Sequence, residues 1–295
     1  MYINNNSMAS NVANNLTSHY SDLATSTQRL STGLRVNSAA DDAAGLAIRE
    51  LMRTDIKALQ QGVRNANDAI SLIQTADGAL GVIDEKLTRM KELAEQASTG
   101  TYDSTQRLMI ESEYQAMASE ITRIATATDF NGIHLLDGNL SGSTHSGSGM
   151  VSTGKMKIHF GTANDSAEDY YYIQIGTSTA SALGVGNETT TGRAGATIST
   201  QQAAQEALVA ITNAVVSKDK IRAHLGALQN RLENTVSNLT TQAENLQAAE
   251  SRISDVDVAT EMTQFVRNQI LTQSSVAMLS QANSMPKMAM QLIQG

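Results

Sequence analysis

The side chains best suited to chemistry in this chain are its five histidines, its adjacent carboxylates and a Ser/Gly-rich stretch, and none stands at a spacing that catalysis uses. His19, His134, His145, His159 and His224 lie in five separate segments, without HExxH or any pairing that would put two imidazoles on one metal. Asp41 and Asp42 adjoin, but no further carboxylate or histidine stands at ligand spacing beside them. What they offer is turn and helix-cap chemistry. The stretch Ser141 to Gly154 lacks the Gly-Lys-Ser/Thr ending that would set a lysine on a phosphate. The chain has no cysteine, so it has no thiolate nucleophile, disulfide framework or thiolate metal site, and it lacks a Gly-x-Ser-x-Gly elbow. These residues point away from an enzyme and imply no cofactor.

What does recur is apolar spacing, so the chemistry on offer is packing. Met52, Ile56, Leu59, Val63, Ala66, Ile70, Ile73, Ala76, Leu80, Ile83, Leu87, Met90, Ala94 and Ala97 advance in steps of three and four, the stripe of a helix packed along other helices. A helix from about Ala43 to Ala97 would be roughly 80 Å long at 1.5 Å per residue, which predicts a rod. After a polar turn at Thr101 to Ser104, the residues Ile110, Tyr114, Met117, Ile121, Ile124 and Thr128 repeat the stepping. A connection that short predicts an antiparallel return, ended by the Asn131-Gly132 turn. Helix resumes near Thr200, where Leu225, Leu232, Leu239, Leu246 and Ile253 lie seven apart and supply a partner seam. With no tryptophan and 3% aromatics, thin bundles filled by Leu, Ile, Val, Met and Ala fit better than a wide core.

Only the middle of the chain breaks this pattern. In Lys155 to Phe160, the residues Met156, Ile158 and Phe160 alternate with Lys155, Lys157 and His159, and Tyr170 to Ile175 alternates likewise. The period of two predicts a β-hairpin closed by Gly161 to Asp169. Leu140 to Gly154 and Gly176 to Thr200 read as loops. The fold class that follows is mainly α: a long antiparallel helical rod or coiled coil, with the N- and C-termini paired at one end and a small β-hairpin region mid-chain.

The two ends resemble each other. The first twenty residues carry no charge beyond what His19 would add, and after Glu261 only Arg267 and Lys287 are charged. A surface helix normally sets Lys and Glu opposite its apolar stripe. Neutral Asn, Gln, Ser and Thr in their place predict helices that meet protein on both faces. Pro286 is expected to kink or interrupt the last helix, costing about 3 kcal/mol if it sits in a helix interior. A net charge of −8 disfavours nucleic acid as a partner. No run of 18 apolar residues predicts membrane insertion, and the first twenty residues lack the basic and apolar regions of a cleavable secretory signal.

The run Ser31-Thr32-Gly33-Leu34-Arg35-Val36-Asn37-Ser38-Ala39-Ala40-Asp41-Asp42-Ala43-Ala44-Gly45-Leu46-Ala47-Ile48 resembles the amino-terminal signature of bacterial flagellin. So do Asn65-Ala66-Asn67-Asp68-Ala69-Ile70-Ser71, Asp129-Phe130-Asn131-Gly132, Leu228-Gln229-Asn230-Arg231-Leu232, and Glu244-Asn245-Leu246-Gln247-Ala248-Ala249-Glu250-Ser251-Arg252-Ile253. The resemblance covers roughly 1–140 and 200–295 and has the pattern of a short form without large outer-domain insertions. It implies a filament subunit for swimming motility, exported through the flagellar type III apparatus to an extracellular flagellum. The implied partners are other flagellin subunits, an export chaperone, hook-associated junction proteins and the filament cap. It further implies that 1–42 with 257–295 form a terminal coiled coil lining the filament channel. Residues 43–140 with 200–256 would form a helical rod domain, completed by the hairpin and loops of 141–199. The expected assembly interface comprises Val12, Leu16, Leu23, Leu30, Leu34, Met262, Phe265, Ile270, Leu279 and Leu292. Flagellins of many bacteria are also ligands of Toll-like receptor 5, so the resemblance implies a receptor ligand, and by position in the motif Leu87 to Leu93 it assigns receptor contact to Arg89 and Leu93, with Glu113 on the following helix. The competing readings are a signalling bundle of the chemoreceptor-stalk type, which would carry a membrane segment or sensory domain, and a hook-associated junction protein.

Overall fold

The computed structural model describes residues 6–147, 153–165, 168–186 and 195–294. Its helices are α1 (Ser7–Thr32), α2 (Ala43–Ser98), α3 (Ser104–Ala127), α4 (Ala180–Leu183), α5 (Gln201–Ser254) and α6 (Val258–Gln294). Between α3 and α4 lie the strands β1 (Asp129–Phe130), β2 (Ile133–His134), β3 (His145–Ser146), β4 (Thr153–Gly154), β5 (Met156–His159) and β6 (Tyr170–Ile173). The chain divides into two compact units, Lys57–Ala243 and Met1–Ile56 with Glu244–Gly295.

In the unit Lys57–Ala243 the seam of α2 is buried from Ala66 to Ala97, and Leu80, Ile83, Leu87 and Met90 are wholly excluded from water. Tyr114, Ala118, Ile121 and Ala125 of α3 join the same core. Arg107 donates to the Ala97 carbonyl at 3.0 Å, and Arg89 donates to Glu113 eight residues earlier on α2, which fixes α3 as the antiparallel return. On α5, Arg222 meets Asp77 and Lys218 meets Asp84, so this pairing is antiparallel too. The buried stripe of α5 begins well before the leucine heptads, at Ala204, Ala207, Ile211 and Ala214. Leucine spacing alone places the start of that seam too late, because alanines mark it only by period.

The expected hairpin is β5 and β6, antiparallel with Met156 opposite Ile173 and His159 opposite Tyr170. Met156, Ile158 and Tyr171 pack on the core, while the outer face carries Lys157 over the Tyr170 ring at 3.6 Å. Two smaller hairpins add to it. Asn131 and Gly132, both with positive φ (52° and 79°), turn β1 into β2, the geometry an Asn-Gly turn favours. The pair β3–β4 and helix α4 lie in stretches that read as loop from sequence; elements this short carry too little periodicity to register. The hairpin seats on α2 at Gly62, where any β-carbon would overlap the Phe160 carbonyl. Asn65 donates to the His159 carbonyl at 2.8 Å beside it.

Candidate assembly surface

The smaller unit is built on the two charge-poor terminal helices. On α1 the partly or fully covered positions Ala9, Val12, Leu16, His19, Leu23, Ser26 and Leu30 alternate steps of three and four, and this stripe packs against α6. On α6 the covered stripe is Glu261, Phe265, Asn268, Thr272, Ser275, Leu279 and Ala282, at the same spacing. The pairing is antiparallel: Asn6 at the start of α1 donates to the Ala282 carbonyl at 2.9 Å, and Arg29 near its end lies 3.7 Å from Glu261. A coiled-coil seam would ordinarily be apolar; this one sets Ser26, Glu261 and Thr272 among its most buried positions.

Among the described residues, several apolar side chains of α6 that the seam leaves out face water. Val258, Met262, Val266 and Ile270 follow one another at intervals of four, forming a single ridge, and Met262 and Ile270 are 45% and 57% exposed. Val276, Met278 and Met288 are exposed further along. Among the described residues, most of the large apolar side chains that stand in water belong to this unit, Met8, Tyr20, Ile48 and Leu51 included. Apolar side chains exposed in number on one unit are candidates for an interaction surface.

Pro286 does not interrupt α6, which continues to Gln294. A proline within a helix lacks the N–H that would bond the carbonyl four residues back, here that of Ala282. Asn6 supplies the missing donor through Nδ2, while its Oδ1 accepts from the Ala9 N–H at 3.1 Å and caps α1. One side chain thus satisfies an orphan group on each helix.

Where α1 leads out and α5 meets α6 the backbone is joined as well. Leu34 pairs with Asp255, Arg35 N–H donates to the Ser254 carbonyl at 2.6 Å, and Val256 N–H donates to the Gly33 carbonyl at 3.0 Å. Asp41 accepts from the Asn37 and Ser38 N–H groups at 3.1 and 2.9 Å, and Asp42 from the Gly45 N–H at 2.8 Å. The Ser38 and then the Asn37 backbone bonds hold the Asp41 carboxyl below its ordinary range. Both carboxylates therefore serve turns and caps. Among the described residues no group of three or more His, Asp or Glu is placed to hold a metal, and no helix is long and apolar enough to cross a membrane.

Residues 3–141 match the model of the bacterial flagellin N-terminal helical region and residues 208–293 that of the bacterial flagellin C-terminal helical region. The chain belongs to the bacterial flagellin family. It is 40% identical to the flagellar filament core protein flaB2 of Brachyspira hyodysenteriae over 100% of both chains. It is likewise 40% identical to the flagellin of Bacillus subtilis strain 168, over 99% of this chain and 100% of that one. Its fold is similar to the structure of a putative flagellar hook-associated protein from Vibrio parahaemolyticus, with a TM-score of 0.55 at 12% identity, covering 73% of this chain and 100% of the other. At that identity the likeness speaks for the fold alone.

In this flagellin the residues expected at the assembly interface divide into sets. Val12, Leu16, Leu23 and Leu30 face α6, Phe265 and Leu279 face α1, Leu34 sits in the backbone bridge, and Met262 and Ile270 are exposed. The Leu292 side chain lies outside the described residues. Apolar spacing alone does not find the polar seam positions, because it counts only apolar residues as a seam signal. The clue was spacing, since Glu261, Asn268, Thr272 and Ser275 interleave with Phe265 and Leu279 in a heptad.

The residues assigned to receptor contact also separate. Arg89 donates to Glu113 through Nε at 2.9 Å and Nη2 at 2.8 Å, and to Glu92 at 2.9 Å, forming an exposed cluster on α2 and α3. Leu93 is 1% exposed and packs in the core. It falls on the same stripe as Met90 and Ala97, so its side chain forms no part of that surface.

Proposed function

We infer that this flagellin is a structural subunit that self-assembles into the bacterial flagellar filament, working outside the cell and joining other flagellin subunits through its terminal helices. The observation that carries this reading is the division of α6 into a polar seam spent on α1 and an apolar ridge, Val258 to Ile270, left in water. An isolated chain gains nothing from that ridge, whereas a neighbouring copy buries it at about 25 cal/mol per Å² of apolar surface. The scarcity of charge at both ends has the same rationale, since a Lys or Glu buried without a partner in a polymer would cost several kcal/mol. An export chaperone, a junction protein and a tip cap follow from the family reading. So does the pairing of 1–42 with 257–295 as the channel-lining coiled coil, with 43–140 and 200–256, completed by 141–199, as the surrounding rod.

The test is to delete residues 1–34 or 258–295 and follow filament growth from seeds by electron microscopy. Growth should cease in both cases. Filaments that elongate normally from either truncated chain would overturn the reading.

A second reading rests on the exposed Arg89–Glu113 pair: this face of α2 and α3 contacts Toll-like receptor 5. Arg89→Ala should then lower receptor signalling at unchanged helix content, and undiminished signalling would remove the assignment.

A further inference from the structure

In the unit Lys57–Ala243 the facing stripes of α2 and α5 are so regular that apolar packing alone leaves their axial register open. On α2 the stripe runs Ala66, Ala69, Ile73, Ala76, Leu80, Ile83, Leu87, Met90, and on α5 it runs Ala204, Ala207, Ile211, Ala214, Lys218, Ile221, Leu225, Leu228. Both step by three and four without a break. Sliding one helix by seven residues, about 10 Å at 1.5 Å per residue, would set apolar against apolar again.

Lys218 is the exception, a lysine 1% exposed in the middle of that stripe. Its Nζ reaches Asp84 across the interface and Asp219 at 2.8 Å on its own helix. One turn further on, Arg222 grips Asp77 with two bonds, at 2.7 and 3.1 Å. Asp77, Asp84 and Lys91 lie seven apart on one line of α2, and this spacing distinguishes the registers. A slide toward the C-terminal end of α2 brings Arg222 to Asp84 but sets Lys218 against Lys91. A slide the other way brings Lys218 to Asp77 but leaves Arg222 at Ile70. Only the observed register satisfies both cations. We propose that Lys218 and Arg222 are the register-setting residues of the α2–α5 pair, a role buried polar groups take at a cost in stability in helix seams.

The absence of cysteine makes the test direct in the full-length chain. Spin labels on Glu95→Cys of α2 and Asn230→Cys of α5, both exposed positions, report axial offset. The native sequence should give one distance. Lys91→Asp with Asp77→Ala rewrites the line on α2, so that the shifted register pairs both cations. It should add a population closer by about 10 Å, one heptad of rise. Lys218→Met should keep helix content while splitting the distance distribution, and Lys218→Arg should restore a single peak. A purely stabilising role for Lys218 would move the melting midpoint and leave the distance alone. The native distance retained by the Lys91→Asp, Asp77→Ala chain would overturn the proposal. That outcome is readable even if Lys218→Met fails to fold, because the paired substitutions leave the buried stripes of both helices intact.

Discussion

At the scale of single residues, glycines and carboxylates show how closely a side chain's role depends on what stands opposite it. Gly62 lies under the Phe160 carbonyl, whereas nothing stands within 4 Å of a β-carbon added at Gly78 of the same helix. Gly62→Ala should lower the stability of the chain by about 1–3 kcal/mol, the range for overpacking. Gly78→Ala should raise it by about 0.5–1 kcal/mol by relieving backbone entropy in a helix interior. Thermal melts followed by circular dichroism separate the two, and equal effects of the same sign would refute the contact at Gly62. Asp77 gives a pH signature. The Arg222 hydrogen bonds hold its carboxyl below the ordinary range, while in the unfolded chain it returns to about 3.9. A depressed folded value means that the pair's contribution is whole above about pH 4 and is lost as pH falls through the folded value. Asp77→Asn should therefore melt earlier than the native chain at pH 7, with the gap closing toward pH 3. A gap constant across that range would show the pair to be without effect. Neither residue announces its part in the sequence. Gly62 sits in a helical run where glycine has no local reason to be, and its reason is a carbonyl nearly a hundred residues away.

At the scale of elements, legibility followed periodicity. The long helices α2, α3 and α5 and the β5–β6 hairpin were readable because runs of this length repeat their signal several times over. The seam of α6 is not, because Glu261, Asn268, Thr272 and Ser275 share its covered positions with Phe265, Leu279 and Ala282, while Val258, Met262, Val266 and Ile270 face outward. Which stripe of a helix is buried depends on its partner, and composition identifies only the apolar stripe, which in α6 is not the covered one. Pro286 does not end α6 for a related reason. A proline ends a helix when the carbonyl it orphans has no other donor, and here Asn6 donates to Ala282 from across the chain. The bond suggests a substitution that divides the two roles of one residue. Asn6→Asp keeps the oxygen that caps Ala9 but loses the N–H that reaches Ala282. It should preserve α1 while loosening the end of α6, seen as faster amide exchange in the turns around Ala282 and Pro286. Asn6→Ala should loosen both helix ends. Unaltered exchange near Pro286 in the aspartate variant would mean that the orphan carbonyl is satisfied in another way.

At the scale of the whole molecule, the proposed role of the terminal helices in joining subunits can be tested because their side chains fall into two sets, one in the α1–α6 seam and one in water, that mutation can address separately. Met262 and Ile270 are already in water in the isolated chain. Replacing both by lysine should change its melting midpoint little, as exposed substitutions usually stay within about 0.5 kcal/mol each. In a filament that covers the Val258 to Ile270 ridge, the same lysines would lose their hydration without a partner, at a cost of several kcal/mol per charge. Because every added subunit meets that cost again, seeded growth should stop even though the monomer is sound. Phe265→Lys is the complementary case. It enters the α1–α6 seam, so helix content should fall before any question of assembly arises. The informative measurement pairs circular dichroism of the monomer with sedimentation of seeded filaments. Native-like helix content with no pelleted filament is expected for Met262→Lys with Ile270→Lys, and loss of both for Phe265→Lys. Were the double variant to pellet like the native chain, the ridge would be free in the polymer, and the assembly surface would have to be sought among the other exposed apolar residues, Ile48 and Leu51 first.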